Sequence, residues 1–202
     1  LDGVDLSAFL TPQLISSIPN LWAYVLIVSF LAGSFMGGIN MISATAISRE
    51  GSNASFMKYI PVPLTTQIAA KTACGIILSA IGTWMLIIPA HIVIEYPIYL
   101  DVIFVIGSFI SIVMINLFSI LIDMLRPKLV WEQETAAVKQ NMNGFISMLM
   151  SFMLAAVLFG LLYVGWSHVV WIAVGILFVQ IILTIFLCQT VKKANTRLLN
   201  KI

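Results

Sequence analysis

Charge is what this chain has least of. Ten lysines and arginines and eight aspartates and glutamates make up 9% of its 202 residues, where a soluble globular domain carries about a quarter. That scarcity excludes an ordinary water-soluble domain. Hydrophobic residues fill 61% of the chain and the mean hydropathy is +1.08, the composition of an integral membrane protein. There is no G-x-x-x-x-G-K-[ST] phosphate loop, so the chain is not expected to bind ATP in that way. It also lacks H-E-x-x-H, G-x-S-x-G and any Cys/His cluster at ligand spacing. No catalytic residue, cofactor or metal is therefore expected. Cys74 and Cys188 fall within or at the inner end of apolar stretches and are read as packing residues rather than a disulfide. The chain begins at Leu1 without a basic signal segment, so it reads as a fragment or processed piece.

What is present is a set of long apolar runs. Residues 1–20 form an amphiphilic lead-in, with Asp2 and Asp5 among Leu6, Phe9 and Leu10. Five spans follow at about 21–47, 66–94, 100–122, 143–164 and 169–191. Each is long enough to cross a core of about 30 Å and too unalternating for a barrel strand. The expected fold is all-α, a bundle of about five transmembrane helices. Arg49, Lys58 and Lys71 flank the connection 48–65. Arg126, Lys128 and Lys139 lie in the connection 123–142, and Lys192, Lys193, Arg197 and Lys201 in the tail 192–202. No lysine or arginine falls in 1–20, 95–101 or 165–168. The positive-inside rule then puts the N-terminus outside and the C-terminus in the cytoplasm.

No Asp, Glu, Lys, Arg or His lies near a span centre. Ion-driven pumps place such groups inside the membrane, so uphill transport here would have to draw energy from elsewhere. Asn40, Asn116 and Gln180 are read as interhelical hydrogen-bonding groups, and Gly33, Gly37, Gly38, Gly75, Ser79 and Gly82 as small faces for packing within one bundle. Asp123 stands three residues before Arg126, close enough for a local pair. Trp166, His168 and Trp171 suit an interfacial belt.

The connection 48–65 is built differently from a plain loop. Gly51 lets the incoming helix stop or bend, Ser52 and Asn53 can cap a new helix, and Pro61 and Pro63 end it about two turns later. Phe56, Met57 and Ile60 would share one face of that helix. It reads either as a docking element or as an interfacial helix with Phe56 and Tyr59 among headgroups. The segment from Trp131 to Gln140, with Glu132 and Glu134 near its start and Lys139 near its end, reads as a second helix that suits its dipole. It is either a solvated linker or a second docking surface.

The string Ile47-Ser48-Arg49-Glu50-Gly51, followed by Phe56-Met57-Lys58-Tyr59-Ile60-Pro61-Val62-Pro63 and Gln67-Ile68-Ala69-Ala70-Lys71, resembles the cytoplasmic signature of type-2 ATP-binding-cassette permeases. The specific residues are confined to about 47–71, although the topology would fit a unit that lacks its first span. The resemblance implies a coupling helix docked on a separate nucleotide-binding ATPase subunit through Arg49, Glu50, Gly51, Phe56, Met57, Lys58, Tyr59, Pro61 and Pro63, with Trp131, Glu132 and Lys139 as a second docking surface. It further implies a second permease unit, a lipid bilayer (a bacterial plasma membrane), no nucleic acid, and export by alternating access. The alternative is a non-transporting scaffold or accessory subunit that binds some other cytoplasmic partner.

Overall fold

The computed structural model describes residues 17–93, 96–133 and 135–199, the side chains of Val93 and Trp166 excepted. Most of the lead-in 1–20, and Glu134, therefore lie outside the described residues. All the regular elements described are helical. Helix α1 is Leu21–Ile39, α2 is Leu64–Trp84, α3 is Ile87–Val93 and α4 is Tyr99–Leu125. Helix α5 is Ala136–Lys139, α6 is Met142–Val164 and α7 is Val169–Leu199. Five stretches are long and apolar enough to cross a bilayer: Leu21–Thr45, Leu64–Ile92, Tyr99–Leu125, Met142–Val164 and Val169–Leu199. A bilayer offers the backbone no partners, which leaves helices as the form such runs can take. The chain is an all-helical integral membrane protein.

Helix α4 lies at the centre and packs against α1, α2, α6 and α7. Its closest approach is to α1, where a Cβ on Gly33 would stand 2.3 Å from the Ser108 carbonyl. Gly37 meets Ile115 and Gly38 meets Ser151 in the same way, so the small face is spent inside the bundle. Gly82 has nothing within 4 Å and faces away from it. Two apolar clusters close the ends. One gathers Ile47, Met57, Ile68, Ile120, Met124 and Leu198. The other gathers Ala23, Ile27, Phe30, Leu158, Val169 and Ala173. Phe152, Phe178 and Phe186 point outward, as side chains solvated by lipid can.

Between the clusters runs a polar seam. Ser43 donates to Asn116 Oδ1 at 2.6 Å and Ser111 to Gln180 Oε1 at 2.7 Å. Asn40 Nδ2 donates to the Gly75 carbonyl at 3.1 Å and to Ser79. The three amides therefore do join helices, as expected of polar groups at depth. Asn40 also ends α1 early: its Oδ1 accepts from Ile42 N at 3.0 Å while Met41 takes φ +54°. The expected span to residue 47 is thus a helix to Ile39 followed by 3₁₀ turns. At the other extreme α7 runs beyond the expected 191, because Val191, Ala194 and Leu198 recur on one face and pack into the first cluster. Cys74 is exposed rather than packed, and Cys188 is half-buried. Trp171 and His168 are exposed, as a belt would be.

Candidate docking platform at the basic end

The connection after α1 is a 3₁₀ segment, Ser48–Lys58, kinked at Gly51. It is not the two-turn α-helix expected, and Ile47 rather than Ser52 or Asn53 stands at its N-cap. Gly51 has φ +54° and ψ −133°, the first central position of a type II′ turn, which favours glycine. The site is also closed from above. A Cβ on Gly51 would lie 2.6 Å from the ring of Trp131.

The segment is capped by Asp123 instead. Its Oδ2 accepts from Ile47 N at 2.6 Å and Ser48 N at 3.0 Å; its Oδ1 accepts from the Ser48 hydroxyl and from Asn143 Nδ2 at 2.9 Å. Backbone N–H groups at the start of a helical segment lack internal partners and suit an anion. The carboxylate is fully buried. The expected pair with Arg126 is absent among the described residues. Asp123 turns inward to four donors, and it is the Arg126 carbonyl that is bound, by Asn143 at 2.8 Å.

Ser48 is the hub of this arrangement. Its hydroxyl also accepts from Lys128 N at 2.9 Å, and its carbonyl accepts from Trp131 Nε1 at 3.0 Å. Trp131 itself lies outside any helix, and among the described residues the expected helix from Trp131 to Gln140 shrinks to one turn, Ala136–Lys139. The two basic connections therefore form one platform. Trp131 is half-buried and is part of its frame. Glu132 and Lys139 stay exposed beside it.

The far side of the segment is tied to α2. Glu50 pairs with Lys71, and Gln67 Nε2 donates to the carbonyls of Met57 at 3.1 Å and Val62 at 2.9 Å. Arg49 donates to the carbonyls of Ile42 and Thr45 and stands between two cavities of about 310 and 390 Å³. Met57 is 5% exposed and belongs to the core, so it is withdrawn from the expected docking face. A 3₁₀ turn places neighbours about 120° apart, which separates Met57 from Phe56. Phe56 at 62% exposure and Tyr59 at 80% point outward, with Lys58, Ile60, Pro61 and Pro63 also exposed.

The residues missed from sequence are Ser48, Lys128, Asn143 and the inward Asp123. The readable signal was a lone carboxylate at a span end with a Ser and an Asn at the ends of two neighbouring spans. No group of three or more His, Cys, Asp or Glu able to hold a metal occurs among the described residues. No family model, curated protein or solved structure matches the chain.

Proposed function

We propose that the chain is the membrane-spanning part of an ATP-driven exporter, of the type its 47–71 segment resembles. Its basic end would be cytoplasmic, and a separate ATPase subunit would dock on the hairpin. The observation that supports this reading is the contrast within Ser48–Lys58. The segment is braced beneath by Asp123, Ser48 and Trp131, yet it presents Phe56 and Tyr59 with most of their surface uncovered. A push on a braced segment would reach α2, α4 and α6 together, because the bonds at Asp123 and Gln67 join it to all three. A second unit, homologous or identical, would complete the pathway in a bacterial plasma membrane. The chain itself would hydrolyse nothing.

The test is Phe56→Ala. An aromatic anchor at the centre of an interface is worth about 2 kcal/mol or more, roughly thirtyfold in affinity. The variant should lose the copurifying ATPase, or uncouple its hydrolysis from transport, with stability unchanged within about 0.5 kcal/mol. Met57→Ala is not a docking test, since it would unpack the core. If Phe56→Ala alters neither subunit recovery nor hydrolysis, the ring merely rests among headgroups and the scaffold reading takes its place.

A further inference from the structure

The second span does not run straight to its end. Pro89 lacks the N–H that would bond the Met85 carbonyl, and its ring would crowd that oxygen. Helix α2 stops at Trp84 and α3 resumes at Ile87. Beside this break, among α1, α3 and the start of α4, lies a cavity of about 530 Å³. Its walls are apolar, with Val25, Val28 and Ala32 on one side and Leu86, Ala90 and Phe104 on the others. Val28 and Leu86 are 48% and 45% exposed, so the cavity opens sideways, toward lipid. The volume is in the range that takes one small ligand.

Its polar side-chain groups come from Tyr24, Tyr96 and Asp101. Asp101 accepts from the Tyr96 hydroxyl at 2.8 Å and pairs with His91, whose ring stacks on Tyr96 with centroids 4.4 Å apart. Each carboxylate oxygen thus has one described side-chain partner and room for a second donor. By sequence, the segments at this end hold Asp2, Asp5, Glu95 and Asp101 and no lysine or arginine. An ammonium group at the mouth would meet a carboxylate and no permanently charged competitor.

We propose that this cavity binds a membrane amphiphile with one apolar chain and an ammonium head, the chain lying between α1 and α3 and the head on Asp101. The proposal is independent of the exporter reading. Its test uses the full chain in phosphatidylcholine nanodiscs and three photoreactive sixteen-carbon probes, ending in a primary amine, a hydroxyl or a carboxylate. The amine probe should label the peptides around 86–90 and 100–104 at least tenfold more than the carboxylate probe. Asp101→Asn should lower amine labelling about tenfold, to the level of the hydroxyl probe. Ala32→Leu, which intrudes on the cavity, should lower labelling by all three. His91→Gln loosens the clasp but leaves the carboxylate, and should retain at least half of the amine labelling. If it loses as much as Asp101→Asn does, Asp101 only holds the fold together and the head assignment fails. Equal labelling by amine and carboxylate would overturn it as well. Labelling spread evenly over outward positions such as Phe178 would mean annular lipid only. A photoreactive residue at Ala90 that crosslinks to residues 1–16 would show the chain filling its own cavity, which would also end the proposal.

Discussion

Helix α4 carries an aspartate in each of its terminal turns, and the two are treated in opposite ways. Asp101 sits near the N-terminus, where the helix dipole favours a negative charge. Two side-chain donors accompany it, and 14% of its side chain stays exposed. Asp123 sits in the last turns, where the dipole opposes it. It is fully buried and takes four hydrogen bonds from three residues in two other parts of the chain. A charge that its own helix disfavours persists only where other groups are fixed around it. The same residue type thus marks a rigid joint at one end and a partly open site at the other.

The sharpest way to break this contrast is to remove each carboxylate in turn. Asp123→Ala strands the N–H groups of Ile47 and Ser48 and one N–H of the Asn143 amide in a buried place. Bonds to charged groups contribute about 1.5–3 kcal/mol, and unsatisfied buried donors add to the loss. A cost of about 3 kcal/mol or more is expected in equilibrium unfolding in detergent. Asp101→Ala, at a partly exposed pair, should cost about 1 kcal/mol or less. Equal costs would mean that the basic end is no more rigid than the other.

Gly51→Ala tests the brace itself. The backbone strain there is of order 1–3 kcal/mol, and the Trp131 ring occupies the space of the new methyl. About 2 kcal/mol of destabilisation is expected in the same unfolding assay. Combining it with Trp131→Ala should recover the steric share, so the two losses should fail to add. Strict additivity would show that the ring and the glycine are not in contact.

Much of this architecture was legible beforehand, and the failures have physical causes. The five spans follow from composition, because a bilayer leaves an apolar run few alternatives. The small faces and the three interhelical amides could be named for the same reason. The break after Trp84 was legible in Pro89 and went unread. The positive φ of Met41 was not, since it depends on Asn40 finding Ser79 across the bundle. The hairpin's glycine bend was readable from Gly51. Its 3₁₀ form and its cap were not, because the capping carboxylate lies 75 residues away in the chain. Local spacing favoured Arg126 as the partner of Asp123. Tertiary donors won, because four buried hydrogen bonds outweigh one exposed charge pair. Trp131 likewise left its helix to bond Ser48.

The smallest expected effect lies at the open end, in the pH dependence of Tyr96. Burial, then the hydrogen bond to Asp101 and the nearby negative charge, push its phenol from 10.0 up to about 12. The folded state therefore holds this proton more tightly than the unfolded chain does. The sign follows from linkage: between pH 10 and 12 the unfolded chain has released the proton and the folded one has not, so stability falls as pH rises. Below about pH 10 the contribution is fully present, and above about 12 it is gone. Tyr96 is only partly buried, so screening keeps the change small. The ultraviolet titration of the phenolate should show a step near pH 12, and Tyr96→Phe should delete that step. Stability of the variant should fall less steeply than that of the parent across the same interval. A Tyr96 that ionises near 10 would mean that the phenol is neither buried nor bonded to Asp101 in solution, and the two ends of α4 would then differ by more than the structure shows.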